Sequence, residues 1–187
     1  MKCRHCQSEL TVSLIDLTTS PPSNAYLNQQ ELQATEKYFP LRVLVCTDCW
    51  LVQTEDYAGA DELFSSDYAY FSAFSSSWLK HSEKYVTDMV DRFDLDEQSY
   101  VVEVAANDGY LLQYVKARGI PCLGIEPTTS TADAARKKGI EIIEDFFGVE
   151  LANKMVEQGK QADLTAANNV LAHVPDINDF VGGFAAL

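Results

Sequence analysis

The sequence predicts an α/β protein in two parts: a small metal-binding N-terminal module, then a parallel sheet of about four strands with flanking helices. Three observations carry this expectation. Four of the five cysteines form two pairs, Cys3-x-x-Cys6 and Cys46-x-x-Cys49. From Tyr100 onward, short apolar segments alternate with amphipathic ones, the pattern of strands joined by helical crossovers. The first of these apolar segments runs into small residues, Ala105-Ala106-Asn107-Asp108-Gly109, where a helix begins. The expected boundaries are 1–63 for the cysteine module, 64–98 for an aromatic and serine-rich segment with a linking helix, and 99–187 for the sheet.

Within the first module, two residues between thiols let both sulfurs of one tight turn face a common metal. Two such turns, contributing Cys3, Cys6, Cys46 and Cys49, complete a tetrahedral four-thiolate zinc site with Zn–S distances of about 2.3 Å. Such a closed site leaves no open position on the metal, so its expected role is structural. A redox dithiol is the competing reading, but neither pair sits between a strand and a helix. His5, inside the first turn, is an alternative ligand. Leu14-Ile15-Asp16-Leu17 precedes a loop at 18–23, and Leu41–Val45 reads as a strand leading into Cys46, with Trp50–Gln53 returning beside it.

Residues 64–78 place six aromatics among serines, suited to packing or to facing a polar ligand. Ser75–Ser77 offer N-caps for a helix running to about Phe93. Trp78, His81, Tyr85, Met89 and Phe93 recur along it at spacings of three or four, which makes His81 a packing residue rather than a catalyst.

In the last part, strands are expected at Tyr100–Val104, Pro121–Ile125, Ile140–Ile143 and Ala162–Ala167. Helices are expected at Tyr110–Arg118, Thr129–Lys138, Val149–Gln158 and Ile177–Ala185. Ligands of such sheets bind at the carboxyl ends of the strands. There the sequence offers Glu103, Ala105, Asn107 and Gly109 after strand one and Glu126, a candidate acceptor for ribose hydroxyls, after strand two. Asp145 and Phe146, suited to an adenine amino group and ring, follow strand three, and Asn168 follows strand four. Each has a plainer reading (Glu126 as a helix cap, Phe146 and Phe147 as core), but four strand ends together point to a nucleotide or S-adenosylmethionine (SAM). Cys122 reads as a buried strand residue.

Composition narrows the partners. The formal net charge of −14, from 28 acidic and 14 basic side chains, repels a phosphate backbone and argues against nucleic acid. The compact basic run Arg136-Lys137-Lys138 is expected as surface charge at a helix end. With no run near ~18 apolar residues and no apolar stretch after the first charges, the expectation is a cytoplasmic protein without membrane association.

The motifs Cys3-x-x-Cys6, Asn24-Ala25-Tyr26-Leu27, Phe39-Pro40-Leu41-Arg42-Val43, Cys46-x-x-Cys49 and Tyr70-Phe71-Ser72 are similar to the zinc-containing, SAM-dependent sugar C-methyltransferase family. So are Val102-Glu103-Val104-Ala105-x-Asn107-Asp108-Gly109-Tyr110, Leu123-Gly124-Ile125-Glu126-Pro127 and Asn168–Asp176. The resemblance implies a zinc domain followed by a Rossmann-like SAM sheet, and methyl transfer to C3 of a nucleotide-linked 4-keto-deoxysugar. It implies that Glu103, Gly109, Glu126, Asp145, Phe146 and Asn168 hold SAM, that His173 faces the sugar as base or donor, and that Tyr68 or Tyr70 adds a hydroxyl. The family continues beyond a helix like 176–185 with further strands and a Glu-His-Phe-Ser-Tyr motif. The expectation is therefore a sheet in the order 3-2-1-4 that binds SAM without turnover, with strand four as an open edge that favours self-association.

Overall fold

A computed structural model describes residues 1–23, 26–55 and 70–187. It divides into two compact units, residues 1–69 with 175–178, and residues 70–174 with 179–187.

The first unit carries an antiparallel sheet of three strands, β1 (Val12–Ser20), β2 (Phe39–Val45) and β3 (Val52–Thr54), in that order. β1 pairs with β2 from Val12↔Val45 to Ser20↔Phe39, with irregularities between Ser13 and Ile15 and between Asp16 and Thr19. Thr18 takes a positive φ of 66°, and its N–H bonds the Asp16 carboxylate at 2.8 Å. The strand thus runs through Thr18-Thr19-Ser20, residues whose composition suggests a loop; pairing with Phe39 and Pro40 overrides that local preference. β3 begins at Val52 rather than Trp50, because Trp50 still belongs to the cysteine turn, its N–H bonded to the Cys46 carbonyl at 3.0 Å.

The second unit opens with helix α1 (Ser76–Phe93). The Ser75 hydroxyl caps it by accepting the Trp78 N–H at 3.3 Å, and Asp94, at φ 51°, ends it. Its buried face is centred on Ser82 and Val86, flanked by Trp78, Leu79, Tyr85 and Val90. The expected stripe is therefore rotated: Phe93 lies exposed with Arg92 over its ring, and His81 is exposed while stacking on Trp78 at 5.1 Å.

Four parallel strands follow: β4 (Val101–Val104), β5 (Cys122–Ile125), β6 (Glu141–Ile143) and β7 (Leu164–Ala167). Their spatial order is β6-β5-β4-β7, the expected 3-2-1-4, so the chain reverses direction of travel between β4 and β7. The crossovers are α2 (Leu112–Lys116), α3 (Thr129–Lys137) and α4 (Val149–Glu157), and α5 (Ile177–Ala186) follows β7. α2 is shorter than the expected Tyr110–Arg118. Every residue of β4 is buried, as a central parallel strand requires. One face packs Leu111, Leu112 and Val115 with Val86 of α1; the other packs Met155, Phe147 and Phe180 on Val102, Val104 and Leu123. Cys122 is half-buried in β5 against the first core, and burial pushes its thiol up to about 11. No helix among the described residues is long and apolar enough to cross a membrane.

Candidate metal centre and ligand crevice

The two cysteine turns are built alike. In the first, Gln7 N–H bonds the Cys3 carbonyl at 3.0 Å and Cys3 N–H bonds the Ser8 carbonyl at 2.8 Å. In the second, Trp50 N–H bonds the Cys46 carbonyl at 3.0 Å and Cys46 N–H bonds the Leu51 carbonyl at 3.0 Å. Gln7 and Trp50, each one residue past the second cysteine, share the left-handed conformation at φ 65° and 63°. Two copies of one knuckle thus present four thiols, whose sulfurs all lie within 4.8 Å of one another.

Cys3 Sγ stands 3.6 Å from Cys49 Sγ, and Cys6 Sγ 3.5 Å from Cys46 Sγ. A tetrahedron with 2.3 Å Zn–S bonds has S···S edges of about 3.8 Å, so the spacing fits a tetrahedral metal, whereas a disulfide needs about 2.05 Å. His5 is not in the cluster. Burial opposes the Cys3 thiolate, but the Cys6 backbone N–H, the Gln53 amide and the His5 backbone N–H outweigh it and bring Cys3 down to about 6. Gln53, buried on β3, donates to Cys3 Sγ at 3.3 Å while its Oε1 accepts the Arg4 N–H at 3.0 Å. It orients the first knuckle from outside the thiols. Nothing in the cysteine spacing reveals it; its one trace is a polar residue on the inward face of a short strand.

In the second unit the strand ends converge at the carboxyl edge of the sheet. The loop after β4 holds three left-handed residues in alternation, Ala105 (φ 57°), Asn107 (φ 50°) and Gly109 (φ 74°). A Cβ on Gly109 would run into the end of the Ile140 side chain and crowd Ala135, at a left-handed angle that favours glycine. The side chain of Glu126 fixes this loop: Oε2 accepts the Asn107 N–H at 2.9 Å, and Oε1 accepts the Thr128 N–H at 2.9 Å. These two bonds occupy two of the carboxylate's roughly four acceptor directions.

Glu103 is fully buried in β4, and neither carboxylate oxygen has a hydrogen-bond partner of normal geometry among the described residues. Burial holds its proton well above the ordinary glutamate range. The nearby Tyr110 and Asn168 side chains oppose that, while the Asp108 and Glu126 charges reinforce it. Asp108 and Glu126 are themselves buried near Glu103, with Asp108 paired to Lys138. Tyr110, buried and tilted against Trp78 at 5.8 Å, brings the β4 loop and Asn168 at the end of β7 together around Glu103.

Asp145 and Phe146 lie along a cleft of about 230 Å³ after β6, lined also by Gly148, Lys154 and Asp179. Phe146 is exposed, while its neighbour Phe147 is core, edge-on to Phe180 at 5.8 Å. Asp145 Oδ1 accepts the Phe146 N–H at 2.8 Å. His173 ends a 3-10 turn (Leu171–His173) after β7 and is exposed. Tyr70 is exposed beside the β4 loop; Tyr68 lies outside the described residues. The Asn107 side-chain amide is engaged by the backbone of residues 70–72.

Comparisons with known proteins give several likenesses. Residues 3–64 match a family model, Methyltransf_13, described as a putative zinc binding domain. The chain is 28% identical over 186 residues to C-methyltransferase NovU of Streptomyces niveus, covering 100% of this chain and 44% of that protein, so it spans under half of that relative's length. Among solved structures, YjhP of E. coli is 11% identical with a TM-score of 0.31, covering 42% of this chain and 33% of that one. A SAM-dependent methyltransferase of Archaeoglobus fulgidus is 14% identical with a TM-score of 0.29, covering 41% and 33%. The zinc-domain match thus covers the N-terminal third of the chain, and the likeness to a C-methyltransferase runs along its whole length.

Proposed function

We propose that the chain is the zinc-stabilised, SAM-binding part of a C-methyltransferase acting on a nucleotide-linked keto-deoxysugar. One observation chiefly supports the choice of cofactor: the buried Glu126 carboxylate, held by the backbone N–H groups of Asn107 and Thr128, stands beside the crevice at the strand ends. A dinucleotide would bring a pyrophosphate, which that charge repels. SAM brings a sulfonium and an ammonium, which it attracts.

In this reading Glu126 receives the ribose hydroxyls on its remaining acceptor directions, and Glu103 faces the cationic end. Gly109 and Ala105 keep the loop slim enough for close backbone approach. Asp145 accepts from the adenine amino group, Phe146 covers its ring, and Asn168 borders the crevice from β7. When bound, SAM supplies an electrophilic methyl group. His173 holds or takes the proton alpha to the ketone, and the Tyr70 hydroxyl donates to the developing enolate oxygen. Cys3, Cys6, Cys46 and Cys49 hold zinc as a structural staple with no part in the chemistry. The open edge at β7 also supports self-association of the chain, which sedimentation over a concentration series tests; a clean monomer throughout would count against it.

Calorimetric titration with SAM, with zinc measured on the same sample, tests both cofactors. Expected are one SAM site of micromolar affinity and about one zinc per chain. NAD binding with no SAM binding would overturn the reading.

A further inference from the structure

The side chains of Asn107 and Asp108 both reach the segment that precedes α1. Asn107 Oδ1 accepts the Ser72 N–H at 2.8 Å, and its Nδ2 donates to the Tyr70 carbonyl at 3.0 Å. The carboxamide therefore pairs with the backbone on both sides of Phe71, as a peptide group of a neighbouring strand would. The Asp108 carboxylate continues the row by accepting the Ala73 N–H at 3.2 and 3.3 Å. Asp108 is anchored in turn by Lys138, whose Nζ lies 3.5 Å from Oδ2 and donates to the Asp108 carbonyl at 2.6 Å. Ser72 is buried beneath these bonds, although Tyr70, Phe71 and Phe74 beside it are exposed. Apolar packing of residues 70–74 rests on Ala73 against the first core, and the polar tethers hold the segment on either side of it. No other described residue makes a hydrogen bond to the Asn107 side chain.

The Asn107 backbone faces the opposite way, donating to Glu126. One residue thus joins the candidate ribose-binding carboxylate to the segment that carries Tyr70. We propose that Asn107, with Asp108 beside it, is a positioning residue: it docks the Tyr70–Ala73 strap on the ligand loop and couples the strap's order to occupancy of the crevice. The coupling rests on the SAM-site reading given above; the docking does not. By reciprocity, a ligand that firms the Asn107–Glu126 contact also firms the strap, and a loosened strap weakens the ligand by the same factor.

Asn107→Gly is the informative variant, because glycine keeps the left-handed backbone at φ 50° while deleting the tether. Hydrogen exchange on the whole chain, resolved at individual amides, is read with and without S-adenosylhomocysteine. Without ligand, the Ser72 and Ala73 amides are expected to exchange about tenfold faster in the variant, while those of β4 hold their wild-type rates. Asn107→Asp retains the acceptor and loses the donor, so it is expected to restore slow exchange at Ser72; a nonspecific loosening of the loop would not be rescued this way. With ligand, Ser72 and Ala73 are expected to slow further in the wild type and not in Asn107→Gly. Wild-type exchange at Ser72 in ligand-free Asn107→Gly would overturn the docking. Equal ligand protection in both proteins, or none at these amides while β4 is protected, would overturn the coupling. If S-adenosylhomocysteine binds nowhere on the wild type, the SAM reading and the coupling fall together, and the ligand-free comparison still decides the docking.

Discussion

Replacing Glu126 by glutamine separates what this residue does for the fold from what it does for a ligand. Its carboxylate accepts two backbone N–H groups, from Asn107 and Thr128, both at 2.9 Å, and the residue is 5% exposed. A carboxamide of the same shape has one oxygen and one NH2 group. One of the two N–H donors therefore meets another donor, and Thr128, also buried, has no solvent to turn to. Leaving one such group unsatisfied costs about 1–3 kcal/mol. For a unit of this size that corresponds to roughly 4–12 °C in Tm. In a Trp50→Phe background Trp78 is the sole indole and lies in the second unit, so its fluorescence follows that unit's unfolding in urea. SAM affinity should fall by a further ~1.5–3 kcal/mol, the range for hydrogen bonds to a charged acceptor. Unfolding at the wild-type midpoint would refute the loop-fixing role; unchanged calorimetric affinity would refute the ribose contact.

Cys46→Ser is expected to lower zinc well below the ~1 per chain of the four-thiolate site and to unfold the first unit, since metal binding there is folding energy; full zinc by atomic spectroscopy with an unchanged melt would contradict this. Gly109→Ala forces a Cβ into Ile140 at a left-handed angle, and about 2–5 kcal/mol of destabilisation in urea melts is expected, whereas a loss under ~0.5 would show that the loop can give way. Glu103 binds its proton more tightly folded than unfolded, so its ionisation favours the unfolded chain. Stability should therefore decline as pH rises from the ordinary glutamate range toward the raised folded value, and Glu103→Gln should remove that slope and stabilise the ligand-free protein at neutral pH. A variant with the wild-type pH profile would exclude Glu103 as its source.

Features written in local spacing are legible in the sequence. The CxxC pairs name four residues whose sulfurs do gather, and the alternation from Tyr100 yields four parallel strands, in the order that the family resemblance implies. Ends of elements are harder, because long-range pairing decides them. Thr18–Ser20 extends as strand because β2 is beside it, and α2 is shortened where the chain between Gly109 and Leu112 is still turning. Periodicity also cannot fix the phase of a helix to within one residue, which is why Phe93 faces out and Ser82 faces in. At the site, spacing marks Glu126 and Asn107 as strand-end residues but is silent on their partners. The Asn107 side chain reaches a segment 35 residues away, a pairing that leaves no periodic trace.

The placement of the two knuckles bears on how the N-terminal module can evolve. β1 and β2 register Val12 against Val45, immediately beside Cys46, so the thiols clasp the open end of a hairpin whose far end holds residues 21–38. A clasp at the base leaves that far end free to lengthen. Doubling the length of a loop costs only about 0.6 kcal/mol in closure entropy, small beside the energy of a structural zinc. The module can therefore accept insertions at the hairpin tip, where new recognition surfaces could be grafted, while the four-sulfur base stays unaltered.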